Sequence, residues 1–212
     1  MRVYMIEIKE EKGTTRAGQI TELLHRSFAE HQCRGLVFAA AVQNEAITCQ
    51  RMQSGTCLVA EKDNRLVGTV IVSFFVPPLP DYWPNRDAWY FKVPFAEIGQ
   101  LAVDPTERRS GIGKALLQKA EELCDGKVDL ICLNTALPAR EIILFYKHCG
   151  YVTMGACSWA ATPYNSIILV KPLSTQAKRQ SNSLKRWILY RKDRLRVSMC
   201  RRFLHRYDEV NI

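Results

Sequence analysis

The chain has 212 residues, of which 47% are hydrophobic, and a formal net charge of +9. This length suffices for one buried core with a remainder left over. Residues 174–212 contain 11 Lys/Arg and 3 Asp/Glu, which leaves 19 basic and 18 acidic residues in residues 1–173. The near neutrality of the first part excludes an argument from charge for nucleic-acid or membrane binding there. We predict a domain over residues 1–173 and a basic tail over residues 174–212.

The cysteines and the hydropathy of the sequence indicate the cellular compartment in which the protein is expected. The eight cysteines contain no C-x-x-C pair, and the four histidines do not lie beside them at zinc-finger spacing, which predicts no metal site. Several cysteines lie in apolar stretches, where a free thiol behaves as a small hydrophobic side chain. We therefore expect a reducing, cytoplasmic setting rather than disulfides. The sequence shows neither a secretory signal nor an apolar run of ~18 residues that could span a membrane.

The first half of the chain predicts a strand, helices and a hairpin. Residues 3–8 alternate like a short strand, and the apolar positions within residues 20–28 recur at helical spacing. Residues 36–52 have a mixed pattern that favours helix. Residues 56–60 and 66–75 flank a polar turn and predict the two strands of a hairpin.

A proline-rich and aromatic stretch, residues 77–94, follows the hairpin. Neither a helix nor a central strand would tolerate this composition, so we predict a long loop that faces substrate.

The second half of the chain predicts alternating strands and helices. Residues 96–103 indicate a strand, residues 111–124 an amphipathic helix, and residues 128–133 a second strand. This order at this spacing predicts a right-handed crossover that joins two parallel strands. Residues 139–148 then indicate a helix, and residues 151–170 contain a final strand pair.

The segment that precedes the 111–124 helix reads Arg108-Arg109-Ser110-Gly111-Ile112-Gly113-Lys114. Its glycines let a ligand approach the backbone, and the free N–H groups of the first helical turn face a bound anion. Two arginines add positive charge. The spacing fits neither a P-loop nor a dinucleotide fingerprint. We predict a phosphate-binding loop, with a plain turn into a helix as the alternative.

Two blocks of the sequence carry a family resemblance. Arg108-x-x-Gly111-x-Gly113, after Gln100-Leu101-Ala102-Val103-Asp104-Pro105, resembles the acetyl-CoA signature of GNAT acyltransferases. Leu133-Asn134-Thr135, followed by Tyr146-x-x-x-Gly150-Tyr151, is similar to the second block of that family. The resemblance covers roughly residues 1–172. It implies an α/β (α+β) fold with a mixed, mostly antiparallel sheet, a splayed parallel central strand pair and flanking helices.

The resemblance also implies an acetyl-CoA site and needs no metal. Pantetheine is expected along the strand, at the backbone of Leu101, Ala102 and Val103. The cofactor-binding loop is expected to comprise Arg108, Arg109, Ser110, Gly111, Ile112, Gly113 and Lys114, with the diphosphate on Arg109 to Lys114. Ala139 departs from the family pattern, because many members carry Asn there, and Asn134 is the candidate to replace that contact.

Two residues are candidates for catalysis by the same resemblance. Glu97, at the start of the central strand, matches a position that is a glutamate base in some members, and a base is needed because an amine of pKa ~10.4 must lose a proton before it attacks. Tyr146 matches the position from which the family protonates the departing thiolate. The alternatives are a solvent-facing strand residue for Glu97 and a half-buried helix residue for Tyr146.

These observations predict an N-acetyltransferase that transfers an acetyl group from acetyl-CoA to an amine of a small molecule or protein, by direct attack in a ternary complex. A catalytically silent CoA-binding module and a tail-led adaptor are the alternatives. The tail predicts a basic amphipathic helix with Leu184, Trp187, Ile188, Leu195, Met199 and Phe203 on one stripe. Such a helix binds an anionic membrane, nucleic acid, the domain itself or a second subunit of a homodimer.

Overall fold

A computed structural model of the chain describes residues 6–79, 88–159 and 162–174. Short 3-10 turns lie at Trp89–Phe91 and Pro105–Glu107. None of the described helices is both long and apolar enough to cross a bilayer. In chain order, the strands and helices are β1 (Ile6–Glu10), α1 (Ala17–Cys33), α2 (Ala39–Val42), α3 (Glu45–Gln53), β2 (Thr56–Lys62), β3 (Arg65–Phe75), β4 (Phe95–Val103), α4 (Ile112–Cys124), β5 (Leu130–Ala136), α5 (Arg140–His148), β6 (Val152–Ser158) and β7 (Asn165–Pro172).

The strands form one seven-stranded sheet in the order β1-β2-β3-β4-β5-β7-β6. Neighbouring strands are antiparallel except for β4 and β5, which are parallel. Helix α4 connects that pair, since parallel neighbours need a crossover between them. The structure thus confirms the predicted mixed, mostly antiparallel sheet with flanking helices and a central parallel pair.

The hairpin of β2 and β3 is confirmed together with its turn. Asp63 and Asn64 at the tip have φ angles of 51° and 59°. A two-residue turn of type I′ requires positive φ at both positions, and Asp and Asn accept this conformation more readily than most residues.

Helices cover both faces of the hairpin. Leu58 and Ala60 of β2 join one hydrophobic cluster and Cys57 and Val59 another, because successive side chains of a strand point to opposite faces. Burial on both faces explains why β2 reads as a continuous apolar run rather than an alternating one. The helical side chains that cover these faces are Ile112, Leu116, Leu117 and Ala120 of α4 on the first, and Ile20, Leu23 and Leu24 of α1 on the second.

The predicted helix over residues 36–52 is two helices. Gln43 and Asn44 have extended backbone with ψ angles of 146° and 172°, which ends α2 before α3 begins. The Asn44 side chain accepts a hydrogen bond of 3.0 Å from the Ile47 N–H and so caps α3. The prediction missed this cap because the apolar positions on either side continue a helical pattern.

Two strand boundaries also differ from the prediction. The second parallel strand begins at Leu130, since the Val128 N–H still bonds the Cys124 carbonyl at the end of α4, at 3.3 Å. The first strand continues to Glu10 rather than ending at residue 8, and its predicted start at residue 3 lies outside the described residues.

The described part of the proline-rich loop packs against the sheet. Leu79, Tyr90 and Phe91 are buried in a cluster with Phe95 of β4. Residues 80–87 lie outside the described residues, as does the tail from residue 175. The substrate-facing loop, the tail helix and the division at residue 173 therefore stay predictions.

Candidate active site

The parallel strands β4 and β5 separate after a short stretch of pairing. Their register covers Phe95↔Leu130, Ala96↔Ile131 and Glu97↔Cys132, and then stops. Beyond this point β4 continues to Val103 paired only with β3, and β5 continues to Ala136 paired only with β7. This is the predicted splay, and it leaves a cleft at the centre of the sheet.

A bulge in β4 accompanies the splay. Gln100 has a φ of 53°, and the register between β3 and β4 shifts between Thr69 and Ile71. Bulges bend a strand and increase its twist, so this one turns the end of β4 away from β5. The Gln100 side chain is buried and its Nε2 donates to Oε1 of Gln43 at 2.6 Å, which ties the bulge to the end of α2.

A cavity of about 510 Å³ occupies the cleft. Its wall includes aromatic side chains from several elements, as well as polar and charged ones. The aromatic members are Phe28, Phe38, Phe75, Trp159 and Tyr164. The main polar and charged members are Arg51, Glu97, Gln100, Asn134 and Tyr146.

Glu97 lies where β4 and β5 begin to diverge, and its half-buried side chain lines the cavity. Nδ2 of Asn134 donates to Oε1 of Glu97 at 3.1 Å. Burial raises the pKa of Glu97 to about 7, while the positive charge of Arg51 and the Asn134 hydrogen bond act in the opposite direction. A carboxyl group with this pKa can both release and accept a proton near neutral pH.

Arg51, in the last turn of α3, is a site residue that no motif in the sequence indicates. Its side chain is half-buried and lines the same cavity as Glu97. Burial lowers the pKa of Arg51 and the charge of Glu97 raises it, yet no ion pair or hydrogen bond joins its guanidinium to any other residue that the structure describes. An arginine in a mixed helical stretch carries no local signal that it will face a cavity.

Tyr146 projects from α5 into the cavity and is 8% exposed. Its ring packs edge-on against Tyr151, with ring centroids 5.6 Å apart. Burial raises the pKa of Tyr146 well above the usual value, so the hydroxyl keeps its proton near neutral pH. The structure therefore brings both predicted catalytic side chains, Glu97 and Tyr146, to one cavity.

The loop before α4 has the backbone form that an anion site needs. Gly111 has a φ of 89° and no atom lies within 4 Å of the place where a Cβ would be. The first intrahelical bond runs from the Ala115 N–H to the Gly111 carbonyl at 3.0 Å. The N–H groups of Ile112, Gly113 and Lys114 therefore have no partner within the helix and are available to an anion.

The side chains of this loop divide between structural and exposed roles. Arg108 donates to Oε2 of Glu30 at 2.7 Å and to the Ser27 carbonyl at 2.6 Å, which anchors the loop to α1. Ser110 donates to the Glu107 carbonyl at 2.5 Å. Ile112 is 1% exposed and belongs to the core. Arg109 and Lys114 are exposed, so they are the basic side chains in a position to reach a phosphate.

The predicted pantetheine-binding residues lie at the open end of β4. Leu101 lines the cavity, and Ala102 is buried in the cluster beneath α1. The Val103 carbonyl accepts a hydrogen bond of 3.0 Å from the Ser27 hydroxyl. Ala139, at the start of α5, is fully buried and makes no side-chain cap, and Asn134 is engaged by Glu97. These contacts leave the predicted cofactor roles of Leu101, Ala102, Val103 and Asn134 as predictions.

Comparison with known proteins settles the family. Residues 18–151 match the model of the acetyltransferase (GNAT) family. The chain belongs to this family. GNAT members are acyltransferases that use acetyl-CoA, and the chain is accordingly an acetyltransferase. Within the described residues, no group of three or more His, Cys, Asp or Glu side chains could hold a metal ion.

Relatives and solved structures agree with the GNAT assignment. S-(2-succino)cysteine N-acetyltransferase from Bacillus subtilis (strain 168) is 31% identical over 142 residues, which are 66% of this chain and 80% of that protein. The structure of smu.2055 from Streptococcus mutans UA159 matches with a TM-score of 0.61 at 21% identity, over 79% of this chain and 99% of that one. The ribosomal-protein-S18-alanine N-acetyltransferase of Escherichia coli matches with a TM-score of 0.59 at 18% identity, over 81% and 96%. At these identities the two structures show a shared fold.

Proposed function

We propose that this GNAT protein transfers the acetyl group of acetyl-CoA to a primary amine by direct attack in a ternary complex. The observation that carries the proposal is the placement of Glu97, whose pKa is raised to about 7, in a cavity at the splay of β4 and β5. A catalytic base is most effective when its pKa lies near the working pH.

The loop before α4 fits the diphosphate of acetyl-CoA. Its backbone N–H groups are free, Gly111 leaves open space on its surface, and Arg109 and Lys114 supply positive charge. The open end of β4 from Leu101 to Val103 suits an extended pantetheine chain, because no β5 partner occupies that edge. When bound, acetyl-CoA supplies an acetyl group activated as a thioester.

Glu97 is assigned the role of general base. An amine is nucleophilic only after it loses its proton, and the ionised Glu97 carboxylate takes up that proton from the amine nitrogen. Asn134 holds the carboxylate through its 3.1 Å hydrogen bond and so limits its rotation. Burial of the carboxyl group is the cause of its raised pKa.

Tyr146 is assigned the role of general acid. Its hydroxyl carries a proton at neutral pH and lies at the cavity wall, on the α5 side of the cleft. Donation of that proton to the departing sulfur makes the thiol the leaving species instead of the thiolate. The buried ring fixes the direction of the hydroxyl.

A small-molecule acceptor is favoured over a protein. The Bacillus subtilis relative is an N-acetyltransferase of S-(2-succino)cysteine, and it is 31% identical to this chain. S-substituted cysteines are therefore the first acceptors to examine.

The test is a turnover assay with purified protein, acetyl-CoA and a panel of amines, in which release of free CoA is measured. The panel contains S-substituted cysteines, other amino acids, polyamines and peptides with free N-termini. We expect acetylation of at least one small amine, and a Glu97→Gln variant that binds acetyl-CoA but releases little CoA. Binding of acetyl-CoA without turnover of any amine would instead support the silent CoA-binding module.

A further inference from the structure

Arg51 differs from the other arginines whose side chains meet the sheet and helices. Arg16, Arg34 and Arg108 each donate a hydrogen bond to a glutamate. Those of Arg34 and Arg108 are 2.7 Å long. The guanidinium of Arg51 makes no hydrogen bond or ion pair within the described residues, although it is half-buried. A guanidinium has five N–H donors, and those of Arg51 are available to a ligand in the cavity.

Helix α3, which carries Arg51, is fixed by its packing against α1, and this places the Arg51 side chain at the cavity. On α3, Thr48 is fully buried and its hydroxyl lies 2.6 Å from the Thr21 hydroxyl of α1. Met52, next to Arg51, is buried in the cluster beneath α1. These contacts fix α3 against α1.

Glu97 does not serve as the partner of Arg51. Each charge is close enough to shift the pKa of the other, but they form no ion pair, and Oε1 of Glu97 accepts from Asn134 instead. The cavity is therefore lined by the unpaired guanidinium of Arg51 and, close to it, the carboxyl group of Glu97. A molecule with both an amine and a carboxylate complements these two charges.

We infer that Arg51 binds a carboxylate of the acceptor, so that the substrate is a small amine that also carries a carboxylate, as an amino acid does. The inference rests on the proposed function, because a substrate is an acceptor only if the protein transfers an acetyl group to it. A guanidinium matches a carboxylate through two parallel N–H···O bonds, which a lysine cannot reproduce. The carboxylate at Arg51 leaves the amine of the same molecule to face Glu97, and the aromatic side chains of the cavity contact the remainder.

The test measures binding by calorimetry without acetyl-CoA, so that it does not depend on turnover. The probes are two matched pairs, L-phenylalanine with phenethylamine and S-benzyl-L-cysteine with S-benzylcysteamine, which differ only in the carboxylate. The variants are Arg51→Gln and Arg51→Lys. Lys119→Gln is the matched control, because it removes one positive charge from an exposed position of α4. Melting curves verify that each variant is folded.

We expect the carboxylated member of a pair to bind wild-type protein about 10- to 100-fold more tightly than the plain amine, as for a charge-assisted pair in a cavity. Arg51→Gln removes this preference without weakening the binding of the plain amine, because the lost charge repels an ammonium group. Arg51→Lys retains part of the preference, and Lys119→Gln retains all of it. Equal binding within both pairs, a preference that survives in Arg51→Gln, or no binding of either carboxylated probe would overturn the inference. Arg51-dependent binding with no release of CoA would leave the carboxylate site standing and contradict the proposed acetyl transfer.

Discussion

The two sides of the open strand pair are built in different ways. On one side, the expected phosphate site is a run of seven consecutive residues, four in the loop before α4 and three in the first turn of that helix, and the groups it offers are mainly backbone N–H groups. On the other side, the cavity takes Arg51 from α3, Glu97 from β4, Asn134 from β5 and Tyr146 from α5. A backbone site tolerates change in its side chains, whereas a site made of single side chains changes its chemistry with one substitution. Acetyl-CoA binding and acceptor chemistry should therefore be separable by mutation.

Glu97→Gln is expected to have the largest effect. The amide keeps the size of the side chain but cannot accept a proton, so kcat/KM for the acceptor should fall by about 10²- to 10⁴-fold. The dissociation constant of acetyl-CoA should stay the same, because the loop before α4 is untouched. Steady-state kinetics and calorimetry on one preparation measure both quantities. A parallel loss of acetyl-CoA affinity would show that the two sides are not independent.

Tyr146→Phe is expected to have the next largest effect. Phenylalanine keeps the ring that packs against Tyr151 and removes the hydroxyl, so kcat should fall by about 10²-fold. Higher acceptor concentration should not rescue the rate. If turnover stays within about threefold of wild type, Tyr146 is a packing residue and water or the amine supplies the proton.

Gly111→Asp tests the loop before α4, where the diphosphate of acetyl-CoA is expected to bind. It places a negative charge on the surface where phosphates are expected, so acetyl-CoA should bind at least about 10-fold more weakly. Gly126→Asp is the matched control, since Gly126 is also an exposed glycine with positive φ and has no atom near its missing Cβ. Both variants carry similar backbone strain, and we expect weakened binding in the first alone. Equal affinities in the two variants would mean that the loop is only a turn.

The two sides also differ in how far the sequence could predict them. A contiguous motif at a strand-to-helix junction predicts the loop, and the structure has a strand, this loop and a helix in that order. The cofactor contacts of its residues stay predictions. The hairpin turn at Asp63 and Asn64 is likewise predicted from consecutive residues. Arg51 was missed because its position depends on how α3 packs on α1, which no local pattern records.

Other gaps have similar physical causes. The break between α2 and α3 depends on the Asn44 cap within a continuous helical pattern. The motif predicts that Arg108 binds the cofactor, and that role stays a prediction. The motif does not indicate that the guanidinium donates to Glu30 and to the Ser27 carbonyl of α1, as it does in the structure. Residue types predict charge and size, but the partner of a long side chain depends on the tertiary structure.

The pH dependence of kcat/KM tests the central claim, that Glu97 is the base of an acetyl-transfer site, most directly. Burial raises the pKa of Glu97 from the ordinary 4.5 to about 7, and the base acts in its ionised form. Activity of the wild-type enzyme should therefore reach a plateau above pH about 7 and decrease as the pH falls through that value. The low residual activity of Glu97→Gln depends on the free amine alone, so it should show no break near 7 and should rise with pH up to the pKa of the amine. A profile with the same acidic limb in both proteins would contradict the account, because the titrating base would then be another group.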